Sequence, residues 1–244
     1  MTFIRECPMF LFVRYILWGQ WLLLKQLLNY FLHSSALNSY DVERVFAENL
    51  RVTTCLSKTS PSSSISRDTK VVLINHRCFS DFFIDGFILK KCTHLSRWAV
   101  GIFFPIFGLY GLISGRILFF HRGKTPRKTL ASKIALHLEK NPDRPLIVYP
   151  EGTRYLGTTP RPLKHGVIKI CFEQNLPCQI AIIWGKDRIL NEKTFSVSYD
   201  QLCIYSFSNV FLPAEYVDFD SFYVAISMTW ENMWAQVSSE YPSL

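Results

Sequence analysis

Apolar positions along the chain fall into two kinds of run. Residues 8–32 are dominated by Phe, Leu, Ile, Trp and Tyr, broken by Arg14, Gln20, Lys25 and Gln26. The uncharged stretch inside it, 15–24, covers ten residues, against the roughly 20 that a straight bilayer span needs. Two membrane placements follow. Either Arg14 and Lys25 snorkel and extend the span, or the helix lies in the interface with Trp18 and Trp21 at headgroup depth. A helix buried in the protein core is the third reading. A Ser-rich stretch at 56–69 then reads as a surface loop.

From residue 70 onward, short apolar runs alternate with helical periodicity. Strands are predicted at 71–75, 117–120, 146–149 and 180–184. Helices are predicted at 81–91, at 126–140 with Pro126 in a first-turn position, and at 167–175. Phe222, Ile226, Trp230, Met233 and Val237 recur at helical spacing, so a last helix over 221–237 packs on the core. The pattern predicts an α/β fold: a largely parallel central sheet flanked by helices, with an N-terminal hydrophobic, membrane-associated helical segment. The division is 1–55 for the N-terminal helical region, 56–69 for the loop and 70–244 for the α/β domain. The longest uncharged run, 98–115, has 18 residues, long enough to suggest a span. Pro105 and the glycines at 101, 108, 111 and 115 argue against a regular helix there.

Charge narrows the partners. The formal net charge is +8. Between Arg116 and Lys169 there are 12 basic and three acidic residues, so that stretch carries +9 and the remainder −1. A local basic field seeks phosphate on nucleic acid, an anionic membrane or a small phosphorylated molecule. The aromatic residues sit in apolar runs and do not interleave with the basic stretch as stacking platforms, which argues against nucleic acid. The seven cysteines are scattered without a C-x-x-C pair, and no Asn-x-Ser/Thr sequon occurs. Neither a disulfide framework nor a zinc site is expected, and a site facing the cytosol fits best.

Two segments carry candidate chemistry, each after a predicted strand, where open α/β sheets build their sites. In the first, Asn75-His76-Arg77-Cys78-Phe79-Ser80-Asp81, four residues separate His76 from Asp81. A turn of that length lets the carboxylate reach one ring nitrogen and leaves the other as a base. The same residues also read as a strand-end histidine and an ordinary helix-start acid. In the second, Pro150-Glu151-Gly152-Thr153-Arg154, Gly152 permits a positive φ, Thr153 offers a hydroxyl and Arg154 a fork matching phosphate oxygens. An ordinary Pro-Glu-Gly turn is the alternative. Arg122, after 117–120, is a third candidate and by itself a solvated charge. Cys78, His121 and His165 are not expected to be catalytic.

Together these segments resemble the glycerolipid acyltransferase family, whose best-known activity is that of 1-acylglycerol-3-phosphate acyltransferase. The N-H-x4-D motif stands as Asn75, His76 and Asp81, and the Pro-Glu-Gly-Thr-Arg block as Pro150 to Arg154, followed by Leu163, Lys164 and Gly166. The loose G-x-x-F-x-R motif maps on Gly115, Phe119 or Phe120, and Arg122, its glycine one residue farther out than usual. Of the Pro-flanked fourth motif, Pro177-Cys178-Gln179-Ile180 keeps the first proline and lacks the second. The resemblance spans about residues 70–185. It implies acyl transfer from acyl-CoA, as co-substrate, to the free hydroxyl of 1-acylglycerol-3-phosphate (lysophosphatidate), giving phosphatidate with no metal and no other cofactor. His76 is then the general base and Asp81 its orienting carboxylate. Arg122 and Arg154 hold the acceptor phosphate, with Glu151, Gly152 and Thr153 shaping that subsite. The implied setting is the endoplasmic reticulum or another internal membrane.

Two other readings compete: a lysophospholipid-remodelling acyltransferase acting on lysophosphatidylcholine, lysophosphatidylethanolamine or lysocardiolipin, and an inactive membrane-binding scaffold. The concentrated basic stretch favours a phosphomonoester acceptor, and the intact His-Asp pair argues against a scaffold. If 98–115 crossed the bilayer, His76 and Glu151 would face opposite compartments. That run is therefore expected to be buried, or to dip into one leaflet near the acyl-chain entrance.

Overall fold

The computed structural model describes residues 7–33 and 39–241. Helices α1 (Pro8–His33) and α2 (Ser39–Asn49) lead into β1 (Thr53–Leu56), β2 (Val71–Ile74), α3 (Asp81–Leu89) and β3 (Thr93–Arg97). Next come α4 (Trp98–Phe103), α5 (Pro105–Ser114), β4 (Ile117–Phe120), α6 (Arg127–Lys140), β5 (Leu146–Val148), α7 (His165–Glu173) and β6 (Cys178–Trp184). A small hairpin of β7 (Leu190–Asn191) and β8 (Ser196–Val197), then β9 (Leu202–Phe207) and α8 (Phe219–Glu240), complete the described chain.

Among the described residues one seven-stranded sheet forms in the order β1-β9-β6-β2-β5-β3-β4. Strands β6, β2, β5, β3 and β4 are mutually parallel. β9 returns antiparallel to β6, and β1 adds parallel to β9. Three of the four predicted apolar runs, β2, β5 and β6, are central strands because helices cover both faces and leave no solvent side, and the fourth, β4, is an edge strand. In β2, Val72 and Ile74 point into one core with α1, α2, α3 and α5, and Val71 and Leu73 into the other with α6, α7 and α8. All five apolar positions predicted for the last helix are buried, joined by Trp234.

The chain before β2 is built into this architecture. Phe12, Tyr15, Gly19, Leu23 and Leu27 form a buried stripe on α1, at the three- and four-residue steps that keep side chains on one helix face. Trp18 flanks that stripe and stacks on Phe46 at 5.5 Å, so of the two tryptophans only Trp21 is exposed. Among the described residues no helix is long and apolar enough to cross a membrane. Within 56–69, Ser57 is buried against the Glu240 carboxylate at 2.7 Å, and Ser62 bridges to Phe207.

The uncharged run 98–115 is two short helices that turn at Phe104, with Pro105 starting the second. A Cβ on Gly108 would stand 2.8 Å from the Gly101 carbonyl oxygen, so close backbone approach folds α4 back on α5. The expectation of a buried run holds only for Phe107, Gly108, Tyr110 and Gly111; Ile102, Phe103, Leu109 and Leu112 are exposed. The helices are too short to enclose every side chain between the sheet and α1.

Candidate active site

The five parallel strands end at one edge of the sheet, and each delivers a polar residue there. β2 leads to His76, β3 ends in Arg97, β4 leads to Arg122, β5 to the Glu151–Arg154 block and β6 to Lys186. This is where α/β sheets place ligands, because the chain must turn away and leave a crevice.

Asn75 sets the exit from β2. Its side-chain amide donates to the Ile183 carbonyl and accepts from the Ile183 N–H, both at 2.8 Å, continuing the β2–β6 ladder by one side chain. His76 therefore leaves the sheet from a fixed point. Five residues later the Asp81 carboxylate meets the ring, with Nδ1 to Oδ2 at 2.6 Å. The same oxygen accepts from the Arg77 N–H at 2.8 Å, and Oδ1 accepts from the Cys78 N–H and thiol, both at 3.1 Å. Burial alone would raise the Asp81 carboxyl, but Lys186 behind it and His76 in front hold it well below the usual carboxylate range. An ionised Asp81 can only accept, so Nδ1 carries the hydrogen, and in the neutral ring Nε2 is the nitrogen with the lone pair. The imidazole is a quarter exposed, and Tyr149 stacks on its face at 4.2 Å.

The second segment is fastened to the first through the backbone of His76. Its N–H donates to Glu151 Oε2 at 2.7 Å, and its carbonyl accepts from the Tyr155 N–H at 2.8 Å. Glu151 is buried and its Oε1 has no partner; burial pushes its carboxyl up to about 7, opposed by the His76 N–H. Gly152 takes φ +75, which favours glycine. Its carbonyl faces the strand-end edge, where it accepts from Arg97 Nη2 at 2.5 Å and Arg122 Nη1 at 3.4 Å. Burial first, and the neighbouring Arg122 second, lower Arg97 from the ordinary guanidinium value. Two guanidinium groups converging on one carbonyl leave a cationic point suited to an anion.

Arg122 is thus joined by Arg97 at Gly152. Arg154 points elsewhere: its Nε pairs with Glu192 Oε1, and its guanidinium lies 4.0 Å from the centre of the Phe79 ring. It lines a cleft of about 390 Å³ with Tyr155, Arg161, Glu192 and Lys193. Thr153 is exposed, and its hydroxyl accepts from Arg161 at 3.5 Å. Cys78 is buried, and burial pushes its thiol far up, away from nucleophilic use. Among the described residues no group of three His, Cys, Asp or Glu side chains could hold a metal ion.

Sequence reasoning missed Arg97 and Lys186. Arg97 ends a strand whose sequence, Thr-His-Leu-Ser-Arg, has no apolar run to flag it. Lys186 follows the correctly read 180–184 strand, and the strand-end rule that flagged His76 and Glu151 applies to it equally. The +9 stretch is also less uniform than its count implies. Arg116 is buried and bonds Glu43 at 2.7 Å, and Arg127 pairs with Glu173 at 3.1 Å.

A doubly covered, largely parallel α/β sheet with a His-Asp pair and a Glu-Gly-Thr-Arg loop at one strand edge defines an acyltransferase scaffold. The profile of the Acyltransferase family matches residues 54–184, more than half of the chain, and the protein belongs to that family. No curated protein matches it by sequence. Its fold is that of a solved structure, the crystal structure of the 1-acyl-sn-glycerophosphate (LPA) acyltransferase PlsC from Thermotoga maritima. The TM-score is 0.61 at 12% identity, over 95% of this chain and 99% of that one.

Proposed function

We propose that the protein moves a fatty acyl group from acyl-CoA to the free hydroxyl of 1-acylglycerol-3-phosphate, forming phosphatidate. The observation that carries the reading is the His76–Asp81 contact of 2.6 Å on the edge where Arg97 and Arg122 converge. His76 Nε2 removes the hydroxyl proton as the oxygen attacks the thioester carbonyl, and Asp81 stabilises the imidazolium that forms. The tetrahedral adduct collapses, the C–S bond breaks, and the imidazolium returns the proton to the departing CoA sulfur. Arg97 and Arg122 hold the acceptor phosphate near Gly152. Glu151 holds the His76 backbone, Arg154 lines the adjoining cleft, and Thr153 bonds Arg161 of that cleft. No protein nucleophile takes part, and acyl-CoA enters as co-substrate.

The membrane setting is part of the same proposal. α1 packs against α5, and both turn apolar side chains outward, among them Phe10, Leu17, Trp21, Leu109 and Leu112, with Ile102 and Phe103 beside them on α4. Exposed apolar surface of this extent docks on lipid. It supports a helix lying in the interface; the cytosolic face of the endoplasmic reticulum or another internal membrane is the setting proposed for it from the family resemblance.

The test is purified protein in mixed micelles, given labelled acyl-CoA and a panel of lysophosphatidate, lysophosphatidylcholine, lysophosphatidylethanolamine and lysocardiolipin, with His76→Ala as control. Lysophosphatidate is the expected acceptor. Preference for a choline or ethanolamine headgroup would replace this reading with a remodelling enzyme, and transfer surviving in His76→Ala would remove the mechanism.

A further inference from the structure

Behind the His-Asp pair lies a charged cluster that base catalysis by itself does not require. Lys186 is fully buried. Its Nζ donates to the Asn75 carbonyl at 2.6 Å and to the two oxygens of Asp85 at 2.7 and 3.0 Å, and stands 3.4 Å from Asp81 Oδ1. An ammonium has three hydrogens, and three acceptor groups surround this one. Asp85 follows Asp81 by one helical turn on α3, so one cation meets both carboxylates on a single helix face. Asp85 also accepts from the Tyr149 hydroxyl at 2.9 Å, and the Tyr149 ring lies over His76 at an interplanar angle of 23°. The contacts close a ring: imidazole edge, Asp81, Lys186, Asp85, Tyr149 and back to the imidazole face.

Buried ion clusters are a poor source of stability, since desolvation offsets their attraction and apolar side chains of similar size pack as well. They hold geometry well, because every displaced hydrogen bond leaves a buried charge unsatisfied. The other titratable groups near the pair do not duplicate Lys186. Arg77 turns its guanidinium to Asp187 at 2.8 Å and to the Trp184 face at 4.2 Å. Cys78, Glu151, His94 and Cys203 bring no positive charge to Asp81: burial raises the two thiols and the Glu151 carboxyl and lowers the His94 imidazole.

We propose that Lys186 is a positioning residue for acyl transfer. Through Asp81 it sets the charge presented to the His76 edge, and through Asp85 and Tyr149 it fixes the plane of the ring. The idea rests on the acyl-transfer reading for its kinetic consequences and on geometry alone for its effect on His76.

Lys186→Met removes the charge at similar length. The expected result is a loss in kcat of about 100-fold, the scale of a misplaced base, with KM for both substrates within about threefold. Removing the ammonium strengthens the hold of Asp81 on an imidazolium, so the acid limb of the kcat profile moves to higher pH. If Lys186→Met fails to fold, Lys186→Met with Asp85→Asn keeps an acceptor for Tyr149, removes the Asp85 charge and leaves Asp81 to His76 and the Arg77 and Cys78 N–H groups. That variant is expected to regain the melting temperature while kcat stays at least about tenfold low, as expected for a displaced base. Full recovery of kcat would reduce Lys186 to a counter-ion of Asp85 and overturn the proposal. NMR titration of the His76 ring, assigned with His76→Ala, needs no substrate and separates this idea from the reaction itself. An upward-moved midpoint in Lys186→Met supports positioning even if no lysolipid is acylated, and an unmoved midpoint overturns it.

Discussion

The main-chain N–H of His76 donates to the Glu151 carboxylate at 2.7 Å across 75 residues of sequence. The histidine and the Glu-Gly-Thr-Arg block are therefore one structural unit. Each segment supplies what the other lacks: β2 delivers the imidazole, and the loop after β5 fixes the backbone that carries it.

The burial of that carboxylate makes stability depend on pH with a definite sign. Burial raises the Glu151 carboxyl to about 7, so the folded protein holds this proton more tightly than the unfolded chain does. The contribution is fully present below the ordinary glutamate range and is lost as pH rises through about 7. Glu151→Gln keeps an acceptor for the His76 N–H and cannot ionise. Urea unfolding at pH 5 and pH 8 is expected to show a decline smaller by roughly 2–3 kcal/mol in this variant.

Replacement of the proposed base separates enzyme from scaffold. His76→Ala removes a partly exposed ring and leaves Asp81 held by Lys186 and the Arg77 and Cys78 N–H groups. Acyl transfer is expected to fall by roughly 10²–10⁴-fold, with melting temperature and vesicle binding unchanged.

Arg97 and Arg122 approach one carbonyl from two strands. Arg97→Ala and Arg122→Ala are each expected to raise KM for lysophosphatidate by roughly tenfold, the worth of one charge-assisted hydrogen bond, and to leave KM for acyl-CoA unchanged. Initial rates with one substrate varied at a time would show the split, and an equal rise in both constants would count against an acceptor subsite.

A second buried ion pair has a structural role. Glu43 on α2 meets Arg116 at 2.7 Å, and Gly86 on α3 makes room, since a Cβ there would stand 2.3 Å from the Glu43 carboxyl carbon. Arg116→Met leaves Glu43 buried without its cation and is expected to cost roughly 3–5 kcal/mol in urea unfolding. Gly86→Ala is expected to destabilise by the same route, by overpacking the pair, at about 1–3 kcal/mol.

The outward face of α1 and α4 is expected to carry lipid binding. Each exposed Leu, Trp or Phe inserted into lipid contributes about 1.5–3 kcal/mol. Leu17→Ser, Trp21→Ser and Phe103→Ser, made singly, are each expected to weaken vesicle co-sedimentation at least about tenfold without lowering the melting temperature, because all three side chains are exposed.

By itself the sequence determined the central strands, the helices behind them and the His76–Asp81 pair. Strands covered on both faces are continuous apolar runs, and a contact across four residues depends only on a local turn. It determined the Glu151 block as a candidate but not its bond to His76. The tertiary structure decided everything that depends on strand order. β1 and β3 escaped notice because they are short and polar, whereas β9 is an apolar run buried toward both cores that the same rule would read as a strand. Arg97 and Lys186 join the site only because β3 and β6 run parallel to β2 and end at the same edge. Arg116 left the basic field because Glu43, 73 residues away, is folded against it. A charge count records how many cations a segment holds; which of them stay free for a ligand is settled by the partners that packing brings within hydrogen-bond reach.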